Sequence, residues 1–150
     1  MKRSQWIESV GIAVVVLSLI FVGLELRQNT AALSAQALAD LNLAANTDFH
    51  LTADNESLAE LNVRGRNGID GMTEVELERY AASWYAAFNT YEAAFLFYQK
   101  GIISEDDYET WRRGACDSSR VPGVRDLLDT GELSLNDEFK KALESCEHHE

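Results

Sequence analysis

An uninterrupted apolar segment near the start of the chain constrains this sequence more than any other feature. Between Ser9 and Leu24 no residue is charged, and the apolar character extends from Ile7 to Leu26. At about 1.5 Å per helical residue, this segment is about 30 Å long, which is the thickness of the hydrocarbon core of a bilayer. The segment therefore predicts a transmembrane helix, with Trp6 at the membrane interface.

Two other interpretations of this segment explain the sequence less well. A cleaved signal peptide needs small residues at a cleavage site, but the apolar run ends in ELRQNT and the first small-rich stretch begins only at Ala31. A helix packed against the core of a small soluble protein would be polar on one face, whereas this run is apolar all round. We therefore predict an uncleaved anchor. Arg27 and Gln28 follow it at headgroup level, where they set the depth of the helix or contact a partner.

The basic residues on either side of the anchor indicate its orientation. Lys2 and Arg3 precede it, whereas only Arg27 follows it before Arg64. Because lysine and arginine are enriched on the cytoplasmic side of a membrane, these counts favour a cytoplasmic N-terminus and a domain outside the cytoplasm. The margin is two charges, so a cytoplasmic domain stays open as the alternative.

Acidic charge dominates the rest of the chain. From residue 28 onward, 10 lysines and arginines stand against 23 aspartates and glutamates, and the whole chain has a net charge of −12. Nucleic acids are bound by clustered basic charge, so the composition argues against a nucleic-acid partner. It also argues against the domain lying flat on anionic lipid.

The alanine-rich segment after the anchor predicts that the helix continues. Pro122 is the only proline in the chain, and no alternating β-branched run occurs outside the anchor. We expect either one unbroken helix or two nearly collinear helices up to residue 53. Leu38, Leu41, Ala45 and Phe49 recur at helical spacing and form its predicted core-facing stripe.

Capping residues predict where the later helices start. They occur at residues 54–56, at Thr73 with Glu76, at residues 104–107, at Pro122 and at residues 134–137. Gly101 is placed where the longest of these helices would end. The sequence thus predicts an all-α protein. Its N-terminal transmembrane helix, residues 1–30, continues into a small acidic helical bundle, residues 31–150.

The helix predicted after Thr73 carries most of the aromatic residues. Eight of the 14 aromatic residues of the chain lie between Tyr80 and Tyr98, most of them on one stripe at helical spacing. A stripe of this kind usually forms the core, although it could also line a ligand pocket or present a face to a partner. Trp84 on this helix and Trp111 on the next are therefore candidate interaction residues.

Glu92 is a charged residue in the middle of the aromatic stripe. It lies between Tyr91 and Phe95, where an unpaired buried charge is costly. The sequence allows three interpretations: an exposed side chain beside the stripe, a buried ion pair with Arg112 or Arg113 of the next helix, or a functional acid.

The chain has two cysteines and none of the common catalytic or metal-binding motifs. A domain outside the cytoplasm would allow Cys116 and Cys146 to form a disulfide, whereas a cytoplasmic domain would leave them as buried thiols. The spacings of zinc-finger, EF-hand, di-iron and hydrolase motifs are not met. We therefore predict no catalytic residue, no cofactor and no metal ligand.

Parts of the chain resemble a set of uncharacterised bacterial proteins. The specific likeness is in Trp6-Ile7-Glu8, the apolar run and the sequence VGLELRQNT at residues 22–30, although Glu25 stands where a glutamine is expected. A looser likeness continues at Glu92, Phe95, Gly101, Trp111 and the PGVR sequence of residues 122–125. The resemblance implies a bacterial inner-membrane protein with a single short N-terminal span and an acidic helical domain, periplasmic in the favoured orientation. It implies no activity.

Three functions are compatible with these observations. The first is a non-catalytic, membrane-anchored interaction module, such as an accessory subunit that contacts other membrane proteins or a second copy of itself. The second is an extracytoplasmic ligand-sensing bundle, which needs a cavity among Trp84, Phe88, Tyr91 and Trp111. The third is an enzyme that uses Glu92 and nearby tyrosines as acid and base, and the absence of a catalytic motif makes it the least supported.

Overall fold

The protein is all-helical wherever its structure is described. The computed structural model describes the backbone of residues 2–148 and the side chains of residues 11–146. Within these residues there are six α-helices and no strand, which confirms the predicted fold class. The helices are α1 (Lys2–Ala53), α2 (Glu56–Gly65), α3 (Glu74–Gln99), α4 (Glu105–Ser119), α5 (Pro122–Thr130) and α6 (Asp137–Glu144), followed by a 3-10 turn at Ser145–His148. The chain divides into two compact units, Met1–Gln36 and Ala37–Glu150.

α1 is one helix through the apolar segment and the alanine-rich segment that follows it. Its hydroxyl side chains donate to backbone carbonyls four residues earlier: Ser18 Oγ lies 2.8 Å from Val14 O, and Thr30 Oγ1 lies 2.9 Å from Leu26 O. These bonds satisfy the hydroxyl groups within the helix itself. Of the two arrangements expected from the sequence, the single helix is the one observed.

The buried face of α1 in the second unit differs from the predicted stripe at one end. Ala37 and Leu41 are 6% and 3% exposed and Ala45 is half-buried, but Phe49 is 69% exposed, so its predicted place in the core is wrong. Each step of four residues turns the helix about 40° beyond a full turn, and two such steps after Leu41 carry Phe49 off the buried face. A step of three residues after Ala45 returns to that face and leaves Asp48 half-buried instead.

Side-chain caps begin the later helices at the predicted sites. Asn55, Ser104 and Asn136 each accept a hydrogen bond from a backbone N–H two or three residues further on, at the starts of α2, α4 and α6. Pro122 occupies the first position of α5. Gly101 follows the end of α3 with a φ of +67°, a conformation that glycine adopts without strain.

The start of α3 is stabilised by a capping box with an additional arginine. Thr73 Oγ1 accepts from the Glu76 backbone N–H at 3.3 Å, and Glu76 Oε2 accepts from the Thr73 backbone N–H at 2.8 Å. Arg64 Nη1 of α2 donates to Glu76 Oε1 at 2.6 Å. The hydrogen bond from Arg64, followed by those with Thr73, lowers the pKa of Glu76 from 4.5 to about 2.

We expect Glu76→Gln to destabilise the protein near neutral pH and to have little effect near pH 2. A carboxylate whose pKa is lowered by folding stabilises the folded state above its unfolded pKa, and this contribution is lost as the pH falls through the folded pKa. Thermal unfolding of both proteins in mild detergent measures the effect. The difference in Tm should shrink as the pH falls from 4.5 towards 2. A difference that stays constant over this range would contradict a role for the ionised carboxylate.

α3 is the central helix of the second unit. It packs against α2 and α4, and α5 completes the set by contacting both α4 and α2. Tyr80 and Phe88 of α3 and Val124 and Leu127 of α5 are completely buried. The aromatic stripe therefore belongs to the core, as predicted, with Tyr98 at its edge.

α2 and α5 approach each other closely at a pair of glycines. A Cβ atom on Gly123 of α5 would lie 2.5 Å from the carbonyl oxygen of Gly65 and 2.9 Å from the hydroxyl of Tyr80. A Cβ atom on Gly65 of α2 would overlap the Tyr80 ring. Available space, rather than backbone conformation, therefore requires glycine at both positions.

Candidate interaction surfaces

The first surface is the exposed apolar part of α1. Its side chains are exposed on all sides, and Ile12, Leu17 and Phe21 are each more than 60% exposed. One helix of the described residues, near the N-terminus, is long and apolar enough to cross a membrane. A helix that is apolar on every face is stable in lipid, because its backbone hydrogen bonds are made internally and its side chains need no water.

Of the three predicted interface residues, the structure describes the side chains of two. Arg27 and Gln28 are exposed on α1, directly after the apolar run. Trp6 lies in the helical backbone of α1, but its side chain is outside the described side chains. The placement of Arg27 is compatible with a headgroup contact, since a long basic side chain can extend from the end of an apolar segment to the interface.

Glu92 contacts the C-terminal part of the bundle rather than an arginine. Its side chain is half-buried on α3, and its Oε2 atom accepts a hydrogen bond from the backbone N–H of Asn136 at 3.4 Å. Asn136 is the N-cap residue of α6. Glu92 therefore links the centre of α3 to the start of the last helix, a contact that the sequence pattern did not reveal.

Arg112 and Arg113 pair with a glutamate of their own helix. Arg112 donates from Nε to Glu109 Oε2 at 2.7 Å and from Nη2 to Glu109 Oε1 at 2.9 Å, and Arg113 Nε lies 3.8 Å from Glu109 Oε1. The ion pair between these arginines and Glu92, one of the interpretations left open, is not formed among the described side chains. Glu109 and Arg112 stand at positions i and i+3 of one helix, a spacing at which side chains meet. This pair could therefore have been found from the sequence. The hydrogen bond from Arg112 lowers the pKa of Glu109.

Trp84 belongs to a column of aromatic rings along α3. Its ring centroid lies 6.2 Å from that of Tyr80 and 6.4 Å from that of Phe88. The Trp84 Nε1 and Tyr80 hydroxyl groups are buried, and neither makes a hydrogen bond of good geometry with the described residues. Burial raises the pKa of the Tyr80 hydroxyl, and the neighbouring Trp84 N–H opposes that rise in part.

Aromatic side chains pack together in the region where the ligand-sensing hypothesis needs a cavity. Phe88 is completely buried and meets Tyr91 edge to face at 5.6 Å. The Tyr91 ring packs closely against Gly114 of α4, and its hydroxyl lies 3.3 Å from Ser118 Oγ. Trp111 is half-buried against the same core. Trp84 and Trp111 therefore lie at the margin of the packed core.

The two cysteines are bonded to each other. The disulfide joins Cys116 of α4 to Cys146 in the final 3-10 turn, with the Cα atoms 5.5 Å apart. Both residues are buried, and Arg120 Nη2 donates to the Cys146 carbonyl oxygen at 2.9 Å. The disulfide, one of the two arrangements left open by the sequence, ties the end of the chain to α4.

Large apolar side chains are also exposed on the part of α1 that belongs to the second unit, on different sides of the helix. Leu43, Phe49 and Leu51 are 67%, 69% and 61% exposed. Exposed leucine and phenylalanine side chains in an acidic domain are candidates for contact with a partner. Val63 and Val75, on α2 and α3, are similarly exposed and provide a comparison within the same unit.

A shallow groove lies between α5 and α6. It has a volume of about 310 Å³ and is partly open to solvent. Arg125 and Asp129 border it on one side, and Lys140 and Glu144 on the other. Its charges are of both signs on exposed side chains, so its walls show no preference for one class of ligand. No group of three histidine, cysteine or acidic residues within the described part of the chain could hold a metal ion.

Comparisons of the chain with protein-family models, with curated proteins and with solved structures found no match. The resemblance of its N-terminal segment to uncharacterised bacterial proteins therefore stays a prediction.

Proposed function

We propose that this protein is a non-catalytic, membrane-anchored interaction module, an accessory subunit of a larger membrane protein complex. The main support for the proposal comes from α1. Its first part is apolar on all sides, and its last part belongs to a folded acidic unit. One chain thus combines a membrane anchor with a domain that can hold a partner near the membrane. The lack of a catalytic motif in the sequence supports a binding role.

The proposed orientation has a cytoplasmic N-terminus and a domain on the oxidising side of a bacterial inner membrane. Two independent features support it. Lys2 and Arg3 precede the anchor, which favours retention of that end in the cytoplasm. The disulfide between Cys116 and Cys146 is a bond that persists in oxidising compartments and is rare in the cytosol.

We propose that the partner contacts the exposed apolar residues of α1 in the second unit. Leu43 and Phe49 expose about two thirds of their surface, although smaller or polar residues would serve a solvated helix equally well. The partner would be another membrane subunit, since the anchor confines the domain to the membrane. The ligand-sensing alternative needs a cavity beside Phe88, and there Phe88 is completely buried and packs edge to face on Tyr91.

Native extraction tests this proposal. The full chain is extracted from its own membranes in mild detergent, sized under native conditions and analysed by mass spectrometry for co-purifying proteins. We expect a stoichiometric membrane complex that is lost with the Leu43→Gln/Phe49→Gln variant and retained with the matched Val63→Gln/Val75→Gln variant.

Two results would contradict the proposal. A lone monomer in mild detergent would remove the accessory-subunit interpretation. A complex that survives Leu43→Gln/Phe49→Gln but is lost with Val63→Gln/Val75→Gln would show that the contact surface is on α2 and α3 instead.

A further inference from the structure

The last helix is attached to the outside of a set of helices that is already closed. α2 contacts α3, α3 contacts α4, α4 contacts α5, and α5 returns to α2. By contrast, α6 packs on the outside of this set, mainly against α4 and through Phe139 against Phe95 of α3. The C-terminal segment, defined as residues 136–146, can therefore leave the bundle without separating any of the contacts among α2, α3, α4 and α5.

Apolar packing and a few polar contacts hold the C-terminal segment in place. Phe139 is 2% exposed and packs on Phe95 with ring centroids 5.5 Å apart, and Leu143 is 8% exposed. Among the described residues, the polar contacts include the long hydrogen bond between Glu92 and the Asn136 N–H and the bond from Arg120 to the Cys146 carbonyl. α6 has eight residues, and helices of this length are not stable by themselves in water. Ordering the segment costs backbone entropy, which these contacts have to offset.

The disulfide closes the segment at its far end. Cys146 is bonded to Cys116, so the segment is fixed to α3 and α4 at both of its ends when the bond is intact. The bond restricts the open conformations of the segment, which favours docking without adding apolar contact area. Once the bond is broken, the same contacts must hold the segment against the full entropy of the free chain.

We propose that the disulfide is a redox latch that keeps the C-terminal segment docked, and that its reduction releases this segment while α2 to α5 stay folded. The reductant is a dithiol. One of its thiolates attacks a latch sulfur and breaks the S–S bond to give a mixed disulfide, and its second thiol then displaces the other cysteine. The products are two cysteine thiols and the oxidised dithiol. Both cysteines are less than 10% exposed, so attack occurs when the final turn frays.

Release of the segment would uncover an apolar surface on the bundle. Phe139 covers Phe95 of α3, and Cys146 is bonded to the buried Cys116 of α4. Loss of the segment exposes these residues to solvent or to a partner. The thiol–disulfide state of the environment would thus control whether this surface is exposed. This proposal does not depend on the proposed accessory-subunit function.

Hydrogen exchange with mass spectrometry tests the latch on the full chain in mild detergent. Exchange is compared before and after addition of dithiothreitol, and again after reoxidation. We expect the amides of residues 137–144 to exchange at least about tenfold faster in the reduced protein, whereas amides of residues 80–95 change less than about twofold. Reoxidation should restore the slow exchange. The Cys116→Ser/Cys146→Ser variant should exchange like the reduced protein and should not respond to dithiothreitol.

Two outcomes would overturn the proposal. Equal acceleration in residues 137–144 and 80–95 would mean that the bond holds the whole bundle together. Unchanged exchange in residues 137–144 after complete reduction would mean that the non-covalent contacts are sufficient and that the bond does not control the segment. Neither result requires the variant to fold, because the reduced natural sequence gives the same comparison.

Discussion

Replacing Leu17 and Ile20 together by arginine is expected to move the protein from the membrane to the soluble fraction or to degradation. Both residues lie near the middle of the apolar segment and are 65% and 55% exposed. Each arginine at the centre of a span costs about 2.5 to 3.5 kcal/mol on insertion scales, so the pair costs about 5 to 7 kcal/mol. The share of protein that stays in the membrane pellet after carbonate washing measures the effect.

The chain offers a matched control for this experiment. Leu43 and Leu51 lie on the same helix and are 67% and 61% exposed, so replacing them by arginine removes as much exposed apolar surface. They lie beyond the apolar run, and we expect the Leu43→Arg/Leu51→Arg variant to stay in the membrane fraction. If both pairs behaved alike, whether by staying or by leaving, the segment of residues 7–26 would not be the anchor.

Replacing Gly123 by alanine is expected to lower the free energy of unfolding by about 3 kcal/mol, at the upper end of what overpacking a core costs. The added methyl group would lie 2.5 Å from the Gly65 carbonyl oxygen. Because that atom belongs to the backbone of α2, the two helices must move apart. Thermal unfolding in mild detergent should show a fall in Tm of more than about 10 °C.

Two further variants separate steric crowding from other effects. In a Tyr80→Phe background, part of the cost of Gly123→Ala should disappear, because the hydroxyl 2.9 Å from the new methyl group is absent. Gly23→Ala adds a methyl group in open space on α1, and it should leave the unfolding of the bundle unchanged. A cost at Gly123 equal to that at Gly23 would contradict the close contact of α2 and α5.

The features that were predicted correctly from the sequence depend on neighbours in the chain. The capping box at Thr73, the proline at the start of α5 and the glycine after α3 are each set by residues within a few positions. The apolar run likewise needs no partner to be recognised. These local signals were sufficient for the fold class and for most helix boundaries.

The features that were missed depend on distances between separate helices. Phe49 was assigned to the core because it continues a four-residue spacing, but the direction of a helix face drifts over successive turns. The contact of Gly65 with Gly123 requires the crossing of α2 and α5, which no local pattern specifies. An ion pair of Glu92 with an arginine was one of three interpretations left open, and the contact observed instead is with a backbone N–H at the start of α6.

Some features of the candidate surfaces could be predicted from the sequence, and others could not. The exposed positions of Arg27 and Gln28 follow directly from the end of the apolar run. Trp84 and Trp111 were candidate interaction residues, but only packing between α3 and α4 decides whether such rings line a cavity or fill it. The disulfide was left open, since a distance across 30 residues of chain is not readable from spacing.

We propose a membrane anchor with its domain outside the cytoplasm. Labelling single engineered cysteines on intact spheroplasts tests this arrangement most directly. Ser4→Cys precedes the anchor, and Asn89→Cys is exposed on α3, while the natural cysteines are bonded and do not react. With a membrane-impermeant maleimide, we expect labelling of Asn89→Cys in intact spheroplasts and of Ser4→Cys only after lysis. The reverse pattern would contradict the proposed orientation, and labelling of neither cysteine before lysis would contradict a domain outside the cytoplasm.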